Sequence, residues 1–325
     1  MKKLLYAGII LAAMALCMTG CRNAARNHGT VGTTEETGVI QSETQVIQET
    51  PESEGTGAED EMTFSIGQEE KETGDVTEGT ETYRDFVIDN VYHSADAGDI
   101  HYNVYIPESY DGSRPYALYF TLPGYEGLYF QGVAANIKSE EFGFEAQKYN
   151  DEMIIVAPQL NDWGETSADQ TIALVEYFLQ QYNIDASKVY GNGYSGGGET
   201  MSIVMGKRPD LFSAYLHVSS QWDGEYEPVV DNRLPVYFAI GRNDEYYGSA
   251  KTQDAYDMFY GLYERQGLSK EEIDGLLVVD IKEHDYFTER NAPNEHGGGG
   301  LFAYDEEIMS WLFSDERSVA VREDR

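Results

Sequence analysis

The chain has 325 residues and carries 58 Asp and Glu against 22 Lys and Arg, so its formal net charge at neutral pH is −36. Such an excess of negative charge disfavours nucleic acids and anionic lipid surfaces as partners, because both attract basic patches. The length is sufficient for one α/β domain with a sizeable core in addition to a flexible segment.

Residues 1–20 have the layout of a secretory signal peptide. Lys2 and Lys3 precede an apolar run, Leu4–Leu16, that is too short to span a bilayer. The small residues before Cys21 resemble the lipobox of bacterial lipoproteins, which implies cleavage before Cys21 and a lipid on its sulfur and amine. The alternative is an ordinary signal peptide that is cleaved nearby. Both predict a protein outside the cytoplasm, and the lipobox predicts a lipid anchor to the bacterial cell membrane.

Residues 21–82 are predicted to form a disordered acidic tether. They are rich in Glu, Thr, Gly and Ser and contain 15 acidic against 3 basic residues. Such a segment buries too little apolar surface to offset its ordering entropy. Cys17 lies within the signal and Cys21 would be acylated, so the mature domain has no thiol for a disulfide, a thiolate metal site or a cysteine nucleophile.

Residues 83–315 show the pattern of a single α/β domain, and residues 316–325 form a polar tail. Alternating apolar and polar residues at 86–91 and 100–106 predict two antiparallel strands with one solvated face. The other strands are mostly apolar. They are expected at residues 116–122, 153–157, 189–194, 214–218, 234–240 and 276–281.

Helices are expected at residues 166–182, 199–207, 252–266 and 303–313. The first opens with a possible capping box, Thr166-x-x-Asp169. Its predicted apolar stripe comprises Ile172, Val175, Leu179 and Tyr182, and the predicted apolar face of the last helix comprises Tyr304, Ile308, Trp311 and Leu312. The alternation of strands and helices predicts a mostly parallel sheet with helices on both faces. The short connection between residues 218 and 234 excludes a large cap domain over the site.

The motif Gly193-x-Ser195-x-Gly197 joins a buried strand directly to a helix. A serine on such a turn adopts a strained backbone, and glycines on either side relieve the crowding. The helix N-terminus directs free amides, that of Gly196 first, at a developing oxyanion. This context favours a nucleophile elbow over the alternative, a glycine-rich turn with no catalytic role.

A serine nucleophile needs a base and an orienting carboxylate. In this architecture the chain order is serine, then acid, then histidine. Asp244 lies where the loop leaves the predicted strand 234–240, so we favour it as the acid. Glu245 and Asp223 are the alternatives.

Two histidines follow the acid, His284 and His296. We favour His296, because Gly297–Gly300 let the chain pass close to a substrate and place the ring over the serine. The four earlier histidines precede the acid and are expected to be ordinary surface or packed residues. They are His28, His93, His101 and His217.

The second oxyanion donor is expected in the loop after strand 116–122, as the amide of Tyr125, with Gly124 permitting the turn. Tyr194, Trp222 and Tyr246 are candidate substrate-binding residues. A wider set of aromatic side chains is expected near the mouth of the site and could stack on sugar rings or aryl acyl groups. The alternative is that tyrosine, with 25 copies, fills strand and surface positions. The wider set comprises Tyr125, Tyr129, Phe130, Trp163 and Tyr247.

These motifs, together with Trp311-Leu312 after His296, resemble the α/β-hydrolase family. The similarity is greatest to secreted esterases of the polyhydroxybutyrate depolymerase, feruloyl esterase and acetylxylan esterase type, which are related to prolyl-oligopeptidase-like catalytic domains. The resemblance implies a triad of Ser195, Asp244 and His296. The family usually has His-Gly at the oxyanion loop, where this chain has Pro123-Gly124. A hole built from backbone amides survives this change, whereas the hydrogen bond that anchors the loop need not.

The sequence therefore predicts a serine esterase that cleaves extracellular carboxylic esters, with acyl esters on carbohydrate preferred. The partner is a small-molecule or glycan ester, and the membrane is contacted only through the lipid anchor. No cofactor or metal is expected, and no D-x-D-x-D-G calcium motif is present. The alternatives are a prolyl-oligopeptidase-like peptidase and a non-catalytic surface binding protein on the same scaffold.

Overall fold

A computed structural model describes residues 74–314 of the protein, and the signal peptide, Cys21, most of the tether and residues 315–325 lie outside this range. One mixed sheet of ten strands organises the described residues. The strands are β1 Val76–Thr77, β2 Glu81–Tyr83, β3 Phe86–Ser94, β4 Gly98–Tyr105, β5 Tyr116–Leu122, β6 Met153–Pro158, β7 Ile184–Tyr194, β8 Ala214–Val218, β9 Val236–Gly241 and β10 Leu277–Lys282.

Nine α-helices and five short 3₁₀ turns connect the strands within residues 74–314. The helices are α1 Ala135–Ser139, α2 Phe142–Glu145, α3 Glu165–Gln181, α4 Gly196–Lys207, α5 Glu227–Asp231, α6 Ser249–Arg265, α7 Lys270–Leu276, α8 His284–Thr288 and α9 Glu306–Leu312. The 3₁₀ turns are Tyr125–Gly127, Tyr129–Gln131, Ala146–Lys148, Pro209–Leu211 and Gly299–Tyr304.

The strand order is β1-β3-β4-β6-β5-β7-β8-β9-β10, with β2 paired to β3. Strands β1 to β4 pair antiparallel, and β4 pairs antiparallel with β6. From β6 to β10 every neighbouring pair is parallel. The chain leaves β5 toward β6 and returns on the other side as β7, so the loops after β5 and β7 emerge together at a topological switch point, where α/β sheets bind ligands.

Strand β5 shows how both faces of the sheet are covered. All seven of its residues are buried, as its apolar sequence predicts. Leu118, Phe120 and Leu122 belong to the core that contains residues of α3, α4, α6 and α7. Ala117 and Tyr119 point the other way, into the core that contains residues of α1, α2 and α9. This alternation follows from the two-residue period of a strand.

The predicted architecture is confirmed: a mostly parallel sheet has helices on both faces. Between β8 and β9 the described chain adds only the five-residue helix α5, so it forms no large cap there. None of the helices within residues 74–314 combines the length and the apolar character needed to cross a bilayer.

The ordered domain begins earlier than the predicted boundary at Tyr83. Val76–Thr77 pairs with β3 near Tyr92, and Glu81–Tyr83 pairs with β3 near Phe86. The last residues of the predicted tether therefore belong to the sheet. The reason is that an edge strand gains backbone hydrogen bonds from its neighbour and needs no apolar pattern of its own.

Helix α3 differs from the prediction in its start and in its buried face. It follows Gly164, and no side chain caps its N-terminus, so the predicted capping box at Thr166 is wrong. Of the predicted stripe, Val175 is buried, whereas Ile172, Leu179 and Tyr182 are only partly buried and pack against the edge of the same core. The residues that the helix buries are Ser167, Ala168, Thr171, Leu174, Val175 and Phe178. The buried face includes Thr171 because its hydroxyl donates to Ser167 O within the helix.

Three further segments differ from expectation. The elbow helix begins at Gly196 rather than at residue 199. The closing segment divides into a 3₁₀ turn and α9, because the Asp305 carboxylate caps a new helix by accepting the amides of Glu307 and Ile308. Tyr304, predicted on the apolar face, is exposed. Helix α7 was missed, although Ser269 and its N3 residue form a true capping box.

The observed face of α3 gives a stability prediction. Leu174→Ala should lower the free energy of unfolding by about 2–5 kcal/mol, because Leu174 is fully buried and the helix cannot collapse into the cavity. Ile172→Ala, at a partly buried position of the predicted stripe, should have a clearly smaller effect. Urea unfolding monitored by circular dichroism measures both. Equal losses would contradict the observed face.

His217, a histidine of β8, is a buried core residue. It is 1% exposed, its Nδ1 lies 2.8 Å from the Tyr215 hydroxyl, and its ring lies against Trp222 and Phe238. Burial lowers the pKa of His217 to about 3 and outweighs the opposing interaction with the Ser220 backbone. The imidazole therefore stays neutral in the folded protein at pH values where the unfolded chain already binds a proton.

This burial predicts a pH dependence of stability. Below pH 6.5 the unfolded state takes up a proton at His217 that the folded state excludes until about pH 3, so stability falls as the pH falls. The slope is at most about 1.4 kcal/mol per pH unit. His217→Gln should flatten the curve of unfolding free energy between pH 6.5 and 4.5, measured by urea unfolding at each pH. Parallel curves for wild type and His217→Gln would contradict the assignment.

Candidate active site

Ser195 lies between β7 and α4 with φ of +56° and ψ of −123°. This left-handed backbone is strained for a residue with a side chain. Its amide donates to Val218 O at 3.0 Å, and its carbonyl oxygen accepts the Ser220 hydroxyl at 2.7 Å. The end of β8 and the residues after it therefore hold the turn on both sides.

Gly193 and Gly197 make the turn sterically feasible. A β-carbon at Gly193 would lie 2.4 Å from Gly197 O, and one at Gly197 would lie 2.4 Å from Pro123 O and 2.5 Å from Leu122 O. Because these neighbours are backbone atoms, they cannot move aside. The two glycines of the motif thus allow α4 to begin directly against the end of β5.

Ser195, His296 and Asp244 form one chain of hydrogen bonds. Ser195 Oγ lies 3.1 Å from His296 Nε2, and His296 Nδ1 lies 2.9 Å from Asp244 Oδ2. When Nδ1 carries the proton and donates it to the carboxylate, Nε2 is free to accept the serine hydroxyl proton. The structure therefore brings together the three residues that the sequence analysis selected.

The Asp244 carboxylate is fixed in position. Its side chain has no solvent exposure. Its Oδ1 accepts the amides of Tyr246 at 3.0 Å and Tyr247 at 2.8 Å, leaving Oδ2 for the imidazole. The tight turn after β9 supplies both amides, so the same loop that carries the carboxylate also orients it.

Two further glutamates join the Asp244 loop to the His296 loop. The Glu245 carboxylate accepts the amides of Glu295 at 3.3 Å and His296 at 3.0 Å. In return, the Glu295 carboxylate accepts the Asn243 amide at 2.6 Å and the Asn243 side-chain nitrogen at 3.0 Å. Each loop thus holds the other, and the sequence analysis missed this function of both residues.

Glu295 is 1% exposed, so burial by itself favours its neutral form. Hydrogen bonds from Asn243 and His284 outweigh burial and hold the pKa of Glu295 below its ordinary value. The competing base, His284, is largely exposed, and its Nδ1 contacts Glu295 Oε1 at 3.0 Å. The structure therefore brings His296, not His284, to the serine.

The competing acids have other partners. Glu245 contacts the backbone of the His296 loop, as described above. Asp223 accepts the side-chain nitrogen of Gln221 at 3.1 Å. Of the three carboxylates considered for the acid, the structure brings that of Asp244 to the imidazole.

The expected oxyanion donors lie on either side of the serine. The amides of Gly198 and Glu199 donate to Ser195 O, so the Gly196 amide precedes the first hydrogen-bonded turn of α4. On the other side, a β-carbon at Gly124 would lie 3.4 Å from Ser195 Cβ. The loop that contains the Tyr125 amide is therefore in contact with the nucleophile.

The three candidate substrate-binding residues have different environments. Tyr246 is 69% exposed, and its ring lies 5.3 Å from the His296 ring in a stacked arrangement. Tyr194 is buried, and its hydroxyl donates to His296 O at 2.8 Å, so it positions the histidine loop. Burial raises the pKa of Tyr194, which keeps the hydroxyl protonated for this bond.

Trp222 is not at the mouth of the site, contrary to expectation. It is 8% exposed and packs edge-on against Phe259 at 4.8 Å. Its indole nitrogen donates to Gly224 O at 2.9 Å, so the ring can be buried without an unpaired donor. Trp222 is therefore part of the core.

An aromatic surface, formed by Tyr125, Phe130 and Trp163, lies beside the serine. The ring of Tyr125 is 5.6 Å from that of Phe130 and 6.0 Å from that of Trp163. Tyr125 and Phe130 are exposed. A β-carbon at Gly196 would lie 2.6 Å from the indole of Trp163, so this surface adjoins the expected oxyanion site.

The arrangement has the parts of a nucleophilic site and shows no metal centre. Within residues 74–314, no group of three or more His, Cys, Asp or Glu side chains is arranged to hold a metal ion. The chemistry that the geometry allows is nucleophilic attack by Ser195, with His296 as the base.

Residues 159–261 match the model of the prolyl oligopeptidase family, a segment that includes Ser195 and Asp244 but not His296. None of the curated proteins compared with the sequence matches it.

Several solved structures align with this chain. A thermostable esterase aligns with 70% of this chain and 62% of its own, with a TM-score of 0.57 and 20% identity, so this chain spans less than two thirds of its length. A structure named FAE aligns with 75% of this chain and 89% of its own, with a TM-score of 0.50 and 13% identity. Oligopeptidase B from Leishmania major aligns with 74% of this chain and 38% of its own, with a TM-score of 0.48 and 14% identity. Together with the sheet order, the similarity to the thermostable esterase gives the chain the α/β-hydrolase fold.

Proposed function

We propose that this protein is a serine hydrolase that cleaves carboxylic esters outside the cytoplasm. The observation that carries the proposal is the continuous chain of hydrogen bonds from Ser195 Oγ through His296 to Asp244. The elbow strengthens it, because a strained backbone persists only where the surrounding structure supports it and is frequent at catalytic residues.

The reaction proceeds through an acyl-enzyme. Ser195 Oγ attacks the ester carbonyl while His296 Nε2 takes its proton, and Asp244 stabilises the resulting imidazolium. The amides of Gly196 and Tyr125 donate to the oxyanion of the tetrahedral intermediate. His296 then gives the proton to the leaving alcohol, and a water molecule, activated by the same imidazole, hydrolyses the acyl-serine.

The aromatic surface supports a substrate that contains a ring able to stack on it. Tyr125, Phe130 and Trp163 lie next to the serine, where an aryl acyl group or a sugar ring could stack on them. Tyr246 adds an exposed ring on the histidine side. Acyl esters on carbohydrate are therefore the preferred substrate class.

A peptidase of the prolyl oligopeptidase type is the alternative, and the family match over residues 159–261 favours it. The ester assignment is supported by the fold shared with a thermostable esterase. A non-catalytic binding protein on the same scaffold is a further alternative. Binding alone requires neither a strained serine nor an imidazole aligned with it, so the geometry disfavours this alternative.

Labelling by a fluorophosphonate probe tests the activated serine. Wild type should label, and Ser195→Ala should not, because the probe reacts with the serine oxygen. His296→Ala should slow both labelling and turnover of a short p-nitrophenyl ester by at least about 10⁴-fold. His284→Ala, at the competing histidine, should still label. Labelling by His296→Ala at the wild-type rate would contradict the proposed base.

Paired substrates distinguish the enzyme classes. Acetylated and feruloylated glycans are compared with peptide p-nitroanilides of varied sequence, using the same preparation of wild type and Ser195→Ala. The proposal expects Ser195-dependent cleavage of esters, with kcat/KM at least about a hundredfold above that of the anilides. A reversed ratio would establish the peptidase. An absence of both labelling and turnover would favour the binding protein.

The proposal also places the enzyme on the bacterial cell membrane through a lipid on Cys21. The support is the pattern of residues 1–21, which lie outside the described range. Metabolic labelling with a tagged fatty acid should mark wild type and Cys17→Ser, whose change lies within the removed signal, but not Cys21→Ser. Retention of the label by Cys21→Ser would exclude this anchor.

A further inference from the structure

Glu140 contacts the loop that follows β5. This loop begins with Pro123-Gly124, and neither residue has a side chain that could anchor the loop by a hydrogen bond. In the structure the Gly124 amide donates to Glu140 Oε1 at 2.6 Å. We propose that Glu140 is a positioning residue that holds the Tyr125 amide in the oxyanion site, an inference that rests on the proposed function.

Two hydrogen bonds hold the peptide groups on either side of Gly124. The Gly124 amide is fixed by Glu140, and Gly124 O accepts the Gly127 amide at 3.0 Å. Because the peptide between Gly124 and Tyr125 is planar and trans, the Tyr125 N–H points away from Gly124 O. Fixing the two hydrogen bonds on either side of Gly124 therefore fixes the direction of the Tyr125 donor.

Hydrogen bonds connect Glu140, through helix α1, to strand β6. This residue follows α1, and its amide donates to Asn136 O at 3.2 Å. The Asn136 side chain donates to Ala157 O at 3.0 Å and to Pro158 O at 3.1 Å, at the end of β6. The carboxyl group is thus attached to the central sheet through a short helix, in which Asn136 and Ile137 are buried, and is not carried on a free loop.

The charge of the Glu140 carboxyl group is set by its surroundings. The residue as a whole is partly buried, and its carboxyl group lies against the amide of Gly124, which is itself buried. Burial, and to a smaller degree the neighbouring Glu126, raise the pKa of Glu140 to about 8, against the opposing Gly124 hydrogen bond. At neutral pH the group is mostly protonated, so it can accept the amide without placing a full negative charge beside the oxyanion.

The experiment compares substitutions that separate hydrogen-bond acceptance from charge. Glu140→Leu removes the acceptor and should lower kcat for a short p-nitrophenyl ester about 10- to 100-fold. KM should change less than about threefold, because the Tyr125 amide bonds mainly to the oxyanion of the transition state and little to the bound substrate. Glu140→Gln resembles the protonated carboxyl group and should keep kcat within about threefold of wild type. Glu141→Leu, which breaks only the exposed ion pair with Arg84, is the matched control.

A second readout is independent of turnover. Amide hydrogen exchange of residues 124–128 should be faster in Glu140→Leu than in wild type and unchanged in Glu140→Gln. If Glu140→Leu does not fold, Glu140→Asp withdraws the acceptor by one methylene and should show the same losses more weakly.

The outcomes separate this inference from the proposed function. An active wild type with unchanged kcat in Glu140→Leu would overturn the positioning role alone. Equal losses in Glu140→Leu and Glu140→Gln would also overturn it, because acceptance would then not be the function of the side chain. A wild type that neither labels nor hydrolyses esters would overturn the proposed function, and this inference with it.

Discussion

The active site depends on the positive φ of Ser195. A non-glycine residue in this conformation stores on the order of 1–3 kcal/mol of strain, so the surroundings must hold it. The Ser195 amide donates a hydrogen bond to Val218 O, and the Ser195 carbonyl oxygen accepts one from the Ser220 hydroxyl. Both partners lie at the end of the neighbouring strand β8 or in the loop after it. The nucleophile is therefore fixed by the parallel sheet itself, and the packing of β7 between β5 and β8 is a condition for the geometry.

The base and the acid come from loops some fifty residues apart, and they meet because the loops hold each other. Asp244 is oriented by amides of its own turn, whereas His296 depends on contacts from outside its loop. Those contacts are the Glu245 carboxylate at its amide and the Tyr194 hydroxyl at its carbonyl oxygen. The residue next to the nucleophile thus also fixes the backbone of the base.

The sequence predicted most strands and the three residues of the hydrogen-bonded chain, because apolar runs, glycines and chain order are local signals. It failed where the deciding interaction is not local or where a polar residue behaves as an apolar one. The buried face of α3 shifted by one position because Thr171 satisfies its hydroxyl inside the helix. Trp222 was misplaced because its donor finds a partner two residues away. The contacts of Glu140 and Glu245 join distant segments and leave no periodic pattern.

The acidity of the chain, which solubility alone could explain, also serves the site. Asp244, Glu245, Glu295 and Glu140 all accept backbone amides of loops around Ser195. Ionised carboxylates only accept hydrogen bonds, so they suit loop amides that no strand or helix satisfies. Three donors hold the pKa of Glu295 below its ordinary value despite burial, whereas burial raises the pKa of Glu140 to about 8 against its one donor. Hydrogen-bond donors and burial together thus decide whether these two glutamates carry charge.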